Sequence, residues 1–136
     1  MNSSSNITAL VGRFLLSLIF IMSGFSKIMM YSQTVGYAAA KGLPMAGVAI
    51  GVAAAVEALC GLGVLTGFQA RASAWLLFLY LIPATLMFHN FWTMQGMERQ
   101  DNMIHFMKNL AILGGLLVLA ANGAGRYSLD ARAHKA

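Results

Sequence analysis

A single carboxylate, Glu57, lies near the centre of an apolar run from Met45 to Leu65 that is long enough to cross a bilayer. On insertion scales, a charged side chain at that depth costs about 2.5–3.5 kcal/mol. Ionisable residues within membrane spans therefore face the protein interior or a polar cavity, where they pair with other groups. Glu57 predicts a membrane protein with a polar interior. Its role there is either a structural ion pair or the handling of a proton or ligand.

The first apolar segment carries the basic residues closest to Glu57 in the chain. Projection at about 100° per residue places Arg13, Ser17, Gly24 and Lys27 on one stripe, which we expect to face protein. Arg13 is predicted to be an interfacial anchor whose charged end extends to water, and Lys27 either does the same at the other surface or points inward. The expected partner of Glu57 is Lys27, Lys108 or Arg13.

The third and fourth apolar segments add imidazole, amide and indole groups at the level of Lys27. His105, Lys108 and Asn109 share one helix face at spacings i, i+3 and i+4, and cations fit the start of a helix badly. That misfit favours an anionic partner nearby, although an interfacial aromatic belt also explains His89 and Trp92. The convergence predicts a shallow pocket floored by a carboxylate. Its candidate ligand-binding residues are Lys27, Glu57, His89, Trp92, His105, Lys108 and Asn109.

Several function classes are excluded by composition. Cys60 is the one cysteine of the sequence, so neither an internal disulfide nor dithiol exchange is available to the chain. Two histidines without a third or fourth ligand do not predict a metal site. The net charge of +5 comes from scattered Lys and Arg, so nucleic acid is not an expected partner. With 59% hydrophobic and 10% charged residues and a mean hydropathy of +0.71, the expected partner is a lipid bilayer.

Four hydrophobic segments of about the length that a bilayer requires predict the elements, at about 8–30, 45–66, 70–91 and 103–122. Because they lack period-2 alternation, the fold class is all-α, a four-helix transmembrane bundle forming one domain over 1–136. The first segment lacks a basic n-region and is expected to be retained. Gly47 and Gly51 begin a face of small residues for close helix packing. Ser32 is expected to cap a short surface helix, and Asp101 or Asn102 the fourth span.

Charge distribution predicts the orientation of these spans. An even number of spans places both termini on one side of the membrane, and five basic residues lie there against four on the other. The positive-inside rule then predicts cytoplasmic termini. The terminal side holds Arg13, Arg71, Arg126, Arg132 and Lys135, and the opposite side holds Lys27, Lys41, Arg99 and Lys108.

The chain resembles the DoxX family of small bacterial inner-membrane proteins over nearly its whole length. The residues that carry the resemblance include Gly12-Arg13, Ser23-Gly24-Phe25-Ser26-Lys27, Gly42-Leu43-Pro44, Glu57, His89-Asn90-Phe91-Trp92, residues 103–109 and Tyr127-Ser128-Leu129-Asp130. The resemblance implies a four-helix membrane bundle. Some relatives are linked to thiosulfate:quinone oxidoreduction or to redox complexes, and more distant ones to chaperone or cargo-receptor roles. It implies no settled catalytic residue.

These observations lead to two functional hypotheses. In the first, the protein is a redox-associated subunit that binds a quinone or similar lipid-soluble carrier and depends on a redox partner protein for electrons. His89 and His105 would donate to carbonyl oxygens, Lys108 or Lys27 would stabilise negative charge, Trp92 would stack on the ring, and Glu57 would relay a proton. In the second, the protein is a non-enzymatic assembly or partner subunit whose buried charges are structural. A third possibility is a small-solute permease, which with four helices per chain would require a homo-oligomer.

Overall fold

A computed structural model describes residues 2–134, which contain helices and no strand. Four helices in this range are long and apolar enough to cross a membrane, which confirms the all-α four-helix bundle. They are α1 (Ser3–Met29), α3 (Ala46–Thr66), α4 (Ala70–Phe88) and α5 (Gly96–Asn122). The short helices are α2 (Tyr31–Ala40) and α6 (Leu129–Ala133), and a 3-10 turn, Phe91–Thr93, follows α4. Lys135, counted above on the terminal side, lies outside the described residues.

The helices pack in the order α1, α3, α4, α5, and α1 touches α5 far less than it touches α3. The link between α3 and α4 has only three residues, 67–69, so these two helices are neighbours. The main core lies in the half of the bundle nearer the termini, because the apolar side chains of all four helices meet there. Its fully buried members are Val64, Ala74, Leu77 and Leu116.

Close packing of α1 on α3 depends on two glycines. A Cβ atom at Gly24 would lie 2.8 Å from the backbone nitrogen of Ala58, and one at Gly61 would lie 2.9 Å from a side-chain carbon of Ile21. The prediction that Gly47 and Gly51 begin this face is wrong. A Cβ at Gly51 would meet nothing within 4 Å, and one at Gly47 would meet only the hydroxyl of Tyr31. The N-terminal half of α3 instead packs against α2 and borders a cavity.

Two helix starts differ from the sequence prediction. Helix α2 begins at Tyr31 with Met30 in the cap position, so Ser32 lies inside the helix and does not cap it. Helix α5 begins at Gly96 after Gln95, so neither Asp101 nor Asn102 is its N-cap. The polar stretch 96–102 obscured this start, because it carries no apolar periodicity. Lys108 therefore lies three turns inside α5, where the unfavourable effect of a helix N-terminus on a cation has faded.

Arg13 holds the terminal end of the bundle together. It is 3% exposed, and its guanidinium donates to the carbonyl oxygens of Val64, Leu65 and Tyr127. The prediction of a water-exposed anchor is wrong. The last carbonyls of α3 have no partner within the helix, and a buried fork of N–H donors satisfies them. The stripe on α1 is confirmed as an inward face, because Ser17, Phe20 and Gly24 are buried with Arg13.

The segment after α5 returns to the link between α3 and α4. The Asp130 carboxylate accepts from the backbone nitrogens of Gln69 and Ala70, at 2.7 and 2.9 Å. These are unpaired donors at the start of α4, where negative charge is favourable. The Asp130 nitrogen in turn donates to the Gly67 carbonyl at 2.9 Å. Residues Tyr127 to Asp130 therefore serve to close the end of the bundle.

Candidate functional site

The half of the bundle away from the termini encloses a cavity of about 530 Å³. Helices α1, α3, α4 and α5 form its walls, and Thr34, Tyr37 and Leu43 cover it from the α2 side. The volume falls within the range of small-molecule sites in proteins, roughly 300–1,000 Å³. Its wall is mostly aliphatic and aromatic. The predicted candidates that line it are Lys27, Glu57, His89, His105, Lys108 and Asn109.

Glu57 is the acidic group of this wall and is 5% exposed. Its Oε2 pairs with the Lys27 ammonium at 2.9 Å, and its Oε1 accepts from the Tyr80 hydroxyl at 2.9 Å. Lys27 also donates to the Ser23 hydroxyl at 2.8 Å. Lys27 therefore points inward and is the partner of Glu57, whereas Lys108 and Arg13 bond elsewhere. The network joins α1, α3 and α4 through one carboxylate.

Tyr80 is the member of this network that sequence reasoning missed. Helix α4 is apolar on all sides, so the pattern does not show which face is inward. The available signal was chemical. A phenol hydroxyl in the middle of a membrane span requires a hydrogen-bond partner, because the hydrocarbon core supplies none. Tyr80 and Pro83, one turn further along, both line the cavity.

His89 and His105 stack at the end of the cavity farther from the chain termini, with ring centroids 5.1 Å apart. Lys108 lies 3.2 Å from Nδ1 of His105, and because an ammonium can only donate, that nitrogen accepts and Nε2 carries the proton. Asn102 donates its amide to the Glu98 carbonyl, so its oxygen accepts from Nδ1 of His89 at 3.0 Å. In their neutral forms, His105 thus offers a donor at Nε2 and His89 an acceptor.

Lys108 is a cation of the cavity wall that no carboxylate among the described residues neutralises. Within residues 2–134, Lys27 and Glu57 form the one ion pair, with 2.9 Å between the ammonium nitrogen and the carboxylate oxygen. The ammonium of Lys108 is exposed and bonds to His105. A group with negative charge or an acceptor oxygen would therefore find a cation here that need not first break an ion pair.

Asn109 occupies the wall between the imidazoles and the apolar floor. It is buried, and its amide donates to the Thr85 hydroxyl at 3.0 Å. That hydroxyl donates to the Leu81 carbonyl at 2.6 Å. The bond from Asn109 to Thr85 links α5 to α4. Within residues 2–134 the Asn109 carbonyl oxygen accepts no hydrogen bond, so it can accept one from a bound molecule.

Trp92 lies outside the cavity wall. It is half exposed and packs edge-on against Phe91 and Phe106, at centroid distances of 5.4 and 5.9 Å. The predicted stacking of Trp92 on a ligand ring therefore lacks the required contact with the cavity. The reason is that α4 ends at Phe88 and the 3-10 turn carries Trp92 to the outside.

Comparison with known proteins gives the following similarities. The DoxX family model matches residues 8–90. Inner membrane protein YphA of Escherichia coli (strain K12) is 38% identical over 123 residues, covering 90% of this chain and 88% of that protein. Inner membrane protein YqjF of the same organism is 34% identical over 130 residues, covering 96% of this chain and 95% of that protein. A Surfeit locus protein 4 homolog of Schizosaccharomyces pombe is 35% identical over 69 residues, 49% of this chain and 23% of that protein. No solved structure is significantly similar.

Proposed function

The chain belongs to the DoxX family, and we propose that it is a bacterial inner-membrane subunit that binds a quinone or similar lipid-soluble carrier. One observation carries the proposal: a mostly apolar cavity between membrane helices has hydrogen-bonding groups at one end and there a cation, Lys108, that belongs to no ion pair. A quinone has a matching division into an apolar body and two carbonyl oxygens. The localisation rests on the two E. coli relatives, whose names place them in the inner membrane.

The residues at the His89–His105 end of the cavity can hydrogen-bond both the oxidised and the reduced form of such a carrier. The Nε2–H of His105 and the Lys108 ammonium can donate to a carbonyl oxygen and stabilise negative charge on it. Neutral His89 can accept from a hydroxyl of the reduced carrier. Lys27 is committed to Glu57, so Lys108 is the better placed cation. Tyr80 and Glu57 provide a proton path deeper in the cavity.

Reduction of a quinone to a quinol consumes two electrons and two protons. The sequence contains one cysteine and no haem-attachment, CxxC or nucleotide-binding glycine motif. In this proposal the chain binds the carrier and moves its protons, and a redox partner protein exchanges the electrons. Both termini are expected on the cytoplasmic side because of the basic residues at that end, and reporter fusions at each terminus test this orientation.

Quinone binding should quench the two tryptophans of the sequence unequally. Trp92 packs on Phe106, the residue next to His105 in α5, whereas Trp75 lies 13 residues before the end of α4, about 20 Å along the helix at about 1.5 Å per residue. In a Trp75→Phe variant, ubiquinone or menaquinone should quench the remaining Trp92 saturably. In the matched Trp92→Phe variant, quenching of Trp75 should stay weak and unsaturable. Lys108→Met should weaken the saturable phase by about tenfold or more, since bonds to charged groups contribute about 1.5–3 kcal/mol. Equal quenching of both tryptophans would contradict binding in this cavity.

A structural role without chemistry is the second hypothesis, and one observation favours it. Both oxygens of Glu57 are already bonded to protein, which accounts for its burial without any ligand. Glu57→Gln separates the two hypotheses. A folded variant that binds quinone but loses proton-coupled turnover with its partner supports chemistry, whereas a variant that is degraded or unfolded supports architecture.

A further inference from the structure

The helices around the cavity do not pack equally closely, and the most loosely packed side is a possible route of entry for a ligand. Helices α1 and α5 both line the cavity, with residues 19–27 and 105–112, yet they are barely in contact with each other. The other neighbouring pairs of long helices, α1 with α3, α3 with α4 and α4 with α5, pack closely along their length. The loosely packed side of the cavity, called the gap here, is therefore the one between α1 and α5.

The gap has a definite lower edge. A Cβ atom at Gly115 would lie 3.4 Å from a methyl carbon of Leu16, so the two helices meet at this level. Three residues away on each helix, Ile19 and Ile112 line the cavity. Both keep accessible surface, and Ile19 is 36% exposed although it also borders the interior. A closed bundle would bury side chains in these positions.

The depth of the gap determines what it opens to. Ile19 and Ile112 each lie three residues from the midpoint of a 27-residue helix, which is about 4.5 Å at about 1.5 Å per residue. The hydrocarbon core is about 30 Å thick, so this level lies well inside it. The opening thus faces acyl chains rather than water or head groups.

We infer that the cavity takes its ligand directly from the bilayer through the gap between α1 and α5, and that the ligand is a long-chain amphiphile. This inference rests on the proposed function. The ring of the carrier occupies the cavity below Lys108 and His105, and its chain leaves between Ile19 and Ile112 into the lipid. A ring without a chain would leave the gap unfilled. The site should therefore bind carriers that have a long chain more tightly than tailless ones.

Photolabelling tests the opening independently of any quinone. Wild-type protein in lipid discs is irradiated with a phosphatidylcholine that carries a diazirine in mid-chain, and labelled residues are mapped by mass spectrometry. Ile19 and Ile112 should be labelled, as should the outward-facing Leu59, whereas the fully buried Leu77 should not. An excess of long-chain quinone should reduce labelling of Ile19 and Ile112 and leave Leu59 unchanged. If Ile112 were labelled no more than Leu77, the inference that the gap opens to lipid would be wrong.

A variant that narrows the gap tests the passage of the chain. Ile19→Trp/Ile112→Trp should weaken binding of a long-chain quinone at least about tenfold more than binding of its tailless analogue. Ile112→Phe is a milder second variant with the same expected order. An equal change for the two quinones would overturn the inference. If wild-type protein binds neither quinone, the proposed function fails, and the photolabelling still decides whether the gap opens to lipid.

Discussion

Replacing Lys27 with Met is expected to destabilise the folded bundle by about 3–5 kcal/mol, the usual cost of leaving one partner of a buried ion pair unpaired. Glu57 is 5% exposed and would retain only the hydroxyl of Tyr80. The Lys27 side chain is 19% exposed, which places the expected effect near the lower end of that range. Unfolding in mixed detergent micelles measures the change.

The compensating variant makes this prediction specific to the ion pair. Glu57→Gln removes the charge and keeps an acceptor for Tyr80, so Lys27→Met/Glu57→Gln should be more stable than Lys27→Met alone. Lys41→Met is the matched control, because Lys41 lies on the surface above the Tyr37 ring at 5.8 Å, a contact of about 0.5–1 kcal/mol. If the double variant were no more stable than Lys27→Met, the loss of stability in Lys27→Met would not come from leaving Glu57 without its ion-pair partner.

Arg13→Met is expected to lower the free energy of unfolding by about 2–4 kcal/mol, since a buried acceptor left unpaired costs about 1–3 kcal/mol and the two partly buried acceptors, which water can reach, add less. Three carbonyl oxygens, of Val64, Leu65 and Tyr127, would lose their donor. The loss should also release the segment after α5, because Tyr127 belongs to it. Faster amide hydrogen exchange in residues 123–134 would report that release.

Arg71→Met is the matched control for Arg13. Arg71 donates to the Ala120 and Ala121 carbonyls at the end of α5, at 2.9 Å each, but it is exposed and water can replace it there. Its loss should cost no more than about 1 kcal/mol. Arg13→Lys should fall between the two, because an ammonium keeps the charge without the fork of donors. Equal destabilisation by Arg13→Met and Arg71→Met would refute the buried clamp.

Much of the fold was predictable because the bilayer restricts the options. A span must be about 20 residues long, and charges within it must face inward, so the position of Glu57 and the stripe ending in Lys27 indicated the interior. Helix ends were less predictable. The start of α5 is polar and carries no periodicity, and the cap of α2 depends on how the chain leaves α1.

The site was predictable to the extent that its residues lie on helices with a defined inward face. Lys27, Glu57 and Asn109 satisfy that condition. Tyr80 does not, because α4 is apolar all round, and Trp92 does not, because it follows the helix in an irregular turn. The role of Arg13 depends on α3 ending beside it and on the return of the C-terminal segment, two long-range contacts that local pattern does not contain.

The most direct test of carrier binding is the quinone content of the protein extracted with its native lipids into polymer-bounded discs. Discs with the wild-type chain should hold stoichiometric quinone, well above discs with Lys108→Met or with an unrelated four-span membrane protein of similar size. Quinone at the level of the bulk membrane in all three preparations would contradict the proposed function.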